Sequence, residues 1–516
     1  MKHFANLRAR LKSLAVLQWS MIILLVCATF LRFWKLPESM LFLGDQGRDA
    51  LIVSKIFTQS DLVFIGPTTS VGNMYLGPLY YYFMMPFLYL SYPSPVGPAY
   101  AIAALGVITV FFLYYWGRQL VGDRASVLAA FLCTFSATAV ALSRFSWNPN
   151  PAPFVSLVLI FASYKALTKS TKYWILAGLC FAVLLQLHYI TLLAGVATGV
   201  LWLYQLWTFV LAKKHKEIYA TSKAAALAAV ILLCSLLPLI FFDAKHGWLN
   251  LQSFQSMLTS RENFGQRTDP GAGTFSSIRE AHGRGMHVLF EFLLGRQLLA
   301  NRIINTVLLI GVILFLINYF LYKKQDNHYT GIFVLVTYLL VGILGLSAYK
   351  HTVFDHYILY LLPATFLLLG FILDTLLKKS YLQRLFVIFF LLAVFFWNAS
   401  RYSFTPTSTD LKTLRETAES IFSRVAPGQK YAIALLTGTG DYYGMNYRYF
   451  LSTNPQKTPV DISEQSTATL LFIIDEEKNL LKPEQAPIYE VTAFSHPVVK
   501  ERYEIPNGAR ITVLEH

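Results

Sequence analysis

Runs of about 20 apolar residues recur along this chain, and they constrain its fold more than any other feature. Such a run has no polar face to offer water, and as a helix it rises the ~30 Å of a bilayer core. The runs fall near residues 14–34, 97–117, 125–143, 152–168, 173–189, 191–211, 224–242, 303–322, 330–348, 357–377 and 382–399. In 516 residues that are 55% hydrophobic and 14% charged, they predict a polytopic, mainly α-helical membrane protein of eleven spans. The first run is too long for a signal-peptide core and lacks a small-residue cleavage site, so it is expected to be retained.

The formal charge of +15 does not point to nucleic acid, because the basic residues sit mainly in short connections between apolar runs. Lys2, Arg8, Arg10 and Lys12 precede the first run, and Arg118/Arg124, Lys165/Lys169/Lys172, Lys213/Lys214/Lys216/Lys223, Lys323/Lys324 and Lys378/Lys379/Arg384 follow at alternate connections. By the positive-inside rule these connections are cytoplasmic. The other side then receives residues 35–96, the turn 144–151, the connection near 190, the loop 243–302, the segment 349–356 and everything after 400. This predicts a cell (plasma or inner) membrane protein with a cytoplasmic N-terminus. Cys27, Cys133, Cys180 and Cys234 all lie in apolar runs without CxxC spacing, which supports neither a disulfide framework nor a zinc site.

The stretch "PLYYYFMMPFLYL" (78–90) strains this parity. It is short and carries Pro78 and Pro86, so it reads as an interfacial or re-entrant helix. If it crosses, a second crossing is needed nearby, giving thirteen spans. After Arg401 the composition becomes that of a soluble fold, with β-rich runs "KYAIALL", "TATLLFII" and "ARITVLEH" between polar segments. The expected organisation is therefore a membrane domain over 1–400, with outer loops 35–96 and 243–302, and a small extracytoplasmic α/β domain over 401–516. The Gly-rich centre of loop 243–302 suits a lid over a bound substrate or, equally, a plain connector. "NAS" at 398–400 fits a glycosylation sequon at a span end.

Directly after the first span, "LFLGDQGRDALIVSKIF" (41–57) sets Asp45, Arg48 and Asp49 at the membrane rim. A carboxylate there meets a lipid head group at its own depth, and partial desolvation raises its basicity, which makes Asp45 a candidate general base. The plainer reading is a solvated loop aspartate or helix N-cap.

"DQGRDA" resembles the acid-Arg motif in the first outer loop of GT-C glycosyltransferases, specifically the protein O-mannosyltransferase and aminoarabinose-transferase group, glycosyltransferase family 39. "YLGPLYYYFMMPF", "ALSRFSWNPNPAPF", "LQLHYI" and "HYILYLLP" follow in the family's serial order. The resemblance implies a GT-C membrane domain and inverting transfer of a hexosyl or pentosyl unit from a polyprenyl-phosphate donor to a protein, lipid or polysaccharide acceptor on the outer side. It implies that Asp45 deprotonates the acceptor hydroxyl and that Arg48, with Asp49 beside it, binds the donor phosphate or holds the acid in place. Two departures stand out. Gln46 replaces the second acid of the family's Asp-Glu pair, weakening a metal reading there. Leu76 and Gly77 occupy the stretch where a Lys or His often precedes Pro-Leu-Tyr.

A leaving polyprenyl phosphate gains negative charge, and cations placed beforehand lower that barrier. Arg144, His188, Lys350 and His356 are the candidates to replace the missing donor. Against them stand a snorkelling interfacial arginine, a packing histidine and an ordinary solvated loop. The residues point to no definite cofactor, and a divalent metal is compatible with the chemistry. "DYYGMNYRYFL" (441–451) offers aromatics that stack on sugars or, more simply, pack on a sheet. A transporter or flippase of lipid-linked saccharides is the alternative function. It predicts charges deep within several spans, and the apolar runs are nearly free of them.

Overall fold

The computed structural model describes residues 2–69, 74–259, 274–298, 302–349, 352–406, 410–478, 482–494, 497–506 and 508–515. Among these, eight helices are long and apolar enough to cross a membrane: Ala15–Phe33, Val96–Val121, Tyr189–Leu211, His215–Lys245, Ile303–Tyr322, Tyr329–Ala348, Asp355–Leu377 and Tyr381–Ala399. Two shorter apolar helices, Ala152–Thr168 and Tyr173–Leu187, correspond to two more of the expected spans. The protein is an integral membrane protein of mainly α architecture.

The eleventh expected span, 125–143, is not one helix. Asp123–Phe135 ends at Ser136, whose backbone is extended, and Ala137–Ala141 restarts after it. Backbone freed in an apolar bundle needs partners from neighbouring helices. Here Arg32 Nη2 donates to Cys133 O (3.1 Å), Tyr402 Oη donates to Phe135 O (2.8 Å), and Asn398 Oδ1 accepts from the Ala137 amide (2.8 Å). The stretch 78–90 forms the helix Leu79–Ser91 with Pro86 inside it. Its 13 residues reach only about 20 Å at the α-helical rise, short of a bilayer core.

Helix Asp355–Leu377 is buried along nearly its whole length and packs against Asp123–Phe135, forming the centre of the bundle. Spans at the margin, such as His215–Lys245 and Ile303–Tyr322, expose most of their apolar side chains. That is the pattern lipid-facing helices require, since bilayer takes the place of a protein neighbour. At one end the charged connections meet: Arg124 pairs with Asp374 (3.0 Å), as does Lys378 (2.5 Å), and Arg118 pairs with Asp123 (2.8 Å). The connections expected on the outer side gather at the opposite end.

The C-terminal region forms a four-stranded sheet: β1 (Tyr431–Leu436), β2 (Leu470–Asp475), β3 (Val498–Glu504) and β4 (Arg510–Glu515), in the order β1-β2-β4-β3. β1 and β2 are parallel, and β4 runs antiparallel to both its neighbours. The three β-rich runs become β1, β2 and β4. β3 is largely exposed and carries the charged sequence "VVKERYE", so no apolar alternation announced it. β1 and β2 are buried on both faces, as their unbroken apolar sequences require. The loop 243–302 also holds more structure than a connector, with helices Leu249–Thr259 and Thr274–Met286. Its central residues 260–273 lie outside the described residues.

Candidate active site

Helix Gly44–Thr58 follows shortly after the first span, and its start is fixed by Gln46. Gln46 is buried, and its Oε1 accepts from the Leu43 amide (2.9 Å), satisfying one of the orphan donors at a helix N-terminus. With Gln46 turned to backbone and carrying no carboxylate, the pair Asp45/Gln46 does not fit a two-carboxylate metal site.

Asp45 stands half-exposed in the first turn, where its charge also complements the helix dipole. Arg48 Nη1 donates to Asp45 Oδ1 (2.9 Å), while Arg48 Nε and Nη2 clasp Oδ1 of the buried Asp49 (3.0 and 2.8 Å). Tyr81 Oη, from helix Leu79–Ser91, donates to the same Asp49 oxygen (3.2 Å). Burial pushes the Asp49 carboxyl up to about 6, with Arg48 partly offsetting it. Burial works against the Arg48 charge, but Asp49 and Asp45 together hold its pKa above the usual value. The arginine is thereby aimed by a buried partner, with N–H groups on Nη1 and Nη2 left over for an anion.

Asp45, Arg48 and Trp147 line two cavities at once. The first, of about 320 Å³, reaches into the bundle and is walled by Met74, Leu76, Ile190 and Leu193, with His188, Tyr349, His356 and Tyr357 at its polar rim. The second, of about 500 Å³, lies between the start of helix Gly44–Thr58 and the C-terminal region, where Thr439, Gly440, Asp441 and Tyr443 close it. Asp45 therefore stands at the junction of an apolar chamber and a second cavity of mixed apolar and polar lining.

His188 and His356 are brought together by the ends of two helices, their rings 5.9 Å apart. Trp147 and Tyr357 pack on His356 at 4.4 and 4.5 Å. His188 Nδ1 accepts from the Ile190 amide (3.2 Å), which leaves Nε2 as the protonated nitrogen of the neutral ring. The turn carrying Trp147 is pinned by Asn148 Nδ2 donating to Leu187 O (2.6 Å) and by Tyr80 Oη paired with Ser146 Oγ (2.6 Å).

The structure does not bring Arg144 to either cavity. Its Nη1 donates to Leu31 O (2.8 Å), and its Nη2 to Trp34 O (2.8 Å) and Ser39 Oγ (2.6 Å), with the guanidinium over the Phe404 ring. It closes the end of the first span, where orphan carbonyls in apolar surroundings need donors. Leu76 lines the apolar chamber and brings no charge there. Lys350 lies outside the described residues. Sequence reasoning missed Tyr81, Trp147 and Asp441, which look like packing or loop residues until the fold sets them around Asp45. It also missed Arg284, whose Nη2 donates to Tyr349 O (3.3 Å) at the chamber rim.

"DYYGMNYRYFL" does serve packing. Its helix Met445–Leu451 is almost wholly buried against Gly44–Thr58. A Cβ on Gly47 would fall 2.4 Å from the Asn446 backbone, and one on Gly44 2.4 Å from Asp441 Oδ2. Only glycine allows the two helices this close. Arg448 is spent on Tyr443 O (2.9 Å) and Val460 O (2.8 Å) and has no path to a sugar.

Residues 76–241 match the family described as dolichyl-phosphate-mannose-protein mannosyltransferase. ArnT from Cupriavidus metallidurans, in its crystal structure bound to undecaprenyl phosphate, is similar over 96% of this chain and 97% of its own, with a TM-score of 0.57 at 12% identity. Its apo structure is similar over 97% and 98%, with a TM-score of 0.58 at 11% identity. No curated protein matches this sequence. At such identities the likeness speaks for the fold. The chain thus has the GT-C fold of ArnT and, over residues 76–241, resembles in sequence the dolichyl-phosphate-mannose-protein mannosyltransferase family.

Proposed function

We propose that this protein is a membrane glycosyltransferase that moves a sugar from a polyprenyl-phosphate donor in the apolar chamber to a hydroxyl of an acceptor in the second cavity beside the C-terminal region, with inversion, on the extracytoplasmic side. The observation that carries this reading is the position of Asp45 and Arg48 on the walls of both cavities. The fold shared with ArnT, which is bound to undecaprenyl phosphate in one structure, supports the choice of donor.

Asp45 accepts the acceptor's proton as that oxygen forms its bond to the anomeric carbon. The bond from that carbon to the phosphate oxygen breaks, and its electron pair leaves with the carrier phosphate. Arg48, held charged by Asp49, supplies N–H donors to the phosphate as its charge grows. His188 and His356 border the same chamber, where neutral imidazoles donate to sugar or phosphate oxygens. Arg144 has no part in this step, because its donors are already committed to the first span.

Asp45→Asn keeps the size of the side chain and removes its basicity. Transfer should fall by about 10²–10⁴-fold, the usual weight of a general base. Binding of a polyprenyl phosphate, followed by native mass spectrometry, should stay within a few-fold of the parent. An Asn variant that retains full turnover removes Asp45 as the base.

A further inference from the structure

We infer that His287, Glu291 and Asp355 form a binding site for a divalent transition-metal ion of the zinc class, separate from Asp45. His287 Nε2 lies 3.0 Å from Asp355 Oδ1 and 3.7 Å from Glu291 Oε2, and the three ligand atoms all fall within 4.8 Å of one another. Ligands at 2.0–2.2 Å in a tetrahedral zinc site sit about 3.4 Å apart, so the set needs only small side-chain adjustments to close on an ion. One imidazole with two carboxylates suits zinc better than magnesium, which prefers all-oxygen octahedra.

The local backbone is built for this grouping. Residues His287–Glu291 form a π-helical turn, a rare distortion that recurs at functional sites, and it stacks His287 and Glu291 on one face. One carbonyl within the turn and two just after it are held by buried donors from elsewhere in the bundle: Thr365 Oγ1 to Val288 O (3.2 Å), Ser136 Oγ to Phe292 O (2.7 Å) and Asn398 Nδ2 to Leu293 O (2.8 Å). His287 is 7% exposed, so it is well set as an inner ligand. Glu291 and Asp355 face a cavity of about 340 Å³, which leaves room for a fourth ligand such as water. Arg401 borders the same cavity and offsets part of the carboxylate charge. Binding uses the Nε2 lone pair, so the imidazole proton resides on Nδ1, and no change of oxidation state occurs.

Asp355 is followed in sequence by His356, which borders the apolar chamber. An ion tying Asp355 to the π turn therefore fixes the first turn of helix Asp355–Leu377 and, with it, the position of His356. The test uses the full-length protein in detergent, stripped with chelator, reloaded with ZnCl2 or MgCl2, desalted and analysed for metal content. About one zinc per chain is expected with no retained magnesium, and the thermal midpoint should rise with zinc. Glu291→Gln and His287→Ala should weaken zinc by about tenfold or more, while Asp45→Asn should retain it. Glu291→Gln is nearly isosteric, and an unchanged melting midpoint in chelator establishes that it folds. Parent protein that holds no zinc, or a folded Glu291→Gln variant with parental zinc affinity, leaves an ion-pair cluster only and overturns the site.

Discussion

At the scale of single residues, burial separates side chains that look alike in sequence. Arg48 and Arg144 are both arginines at the end of a span, yet one faces two cavities and the other is consumed by backbone carbonyls. Arg144→Gln should leave polyprenyl-phosphate affinity unchanged and destabilise the protein by about 1–3 kcal/mol, the weight of lost charge-assisted hydrogen bonds. A thermal melt alongside carrier binding checks both halves. Asp49 makes a pH-dependent contribution of defined sign. Its folded pKa of about 6 lies above the ordinary carboxylate value, so burial favours the neutral acid. As pH falls through 6 toward 4, the folded chain binds a proton that the unfolded chain does not, and Asp49 contributes increasing stability. Above pH 6 that contribution is lost. Asp49→Asn should flatten the pH dependence of the melting midpoint in this window when compared with the parent. An unaltered slope would show that Asp49 does not titrate there.

At the scale of elements, helix Gly44–Thr58 is the part on which the site turns. It carries Asp45 and Arg48 on the side facing the cavities and presents Gly44 and Gly47 to the C-terminal region. Gly47→Ala places a methyl group 2.4 Å from the Asn446 backbone, and relief requires the two helices to separate. A cost of about 1–3 kcal/mol is expected for such overpacking, together with faster proteolysis of the 437–445 loop that walls the second cavity. Limited proteolysis read against a thermal melt tests this. The requirement was invisible in the sequence, where "DQGRDA" spoke through its acid and its arginine alone.

At the scale of the whole molecule, the connections assigned to one side by their charge do meet at one end of the bundle, around Asp45, Trp147, His188 and His356. The side of the membrane they face is tested by labelling. On a background lacking Cys27, Cys133, Cys180 and Cys234, cysteines at Thr58 and Ser452 should react with an impermeant reagent from the same non-cytoplasmic side, and one at Lys214 only after permeabilisation. Opposite labelling of the first two breaks the proposed orientation. The architecture was legible because a span is a local property: about 20 apolar residues satisfy their own backbone and need only lipid or a neighbour, and a β-rich run declares itself within six residues. Asp45 and Arg48 stood out for the same reason, as charged residues of a short motif beside a span, and both line the two cavities. What the sequence alone determined was the number and order of apolar segments and the residues able to carry charge. Only the tertiary structure decided which of those charges reach a cavity, that Gln46 closes a helix, that Arg144 seals another, and that residues 287, 291 and 355 converge. Burial and hydrogen bonding depend on contacts between segments far apart in the chain, and no local pattern encodes them.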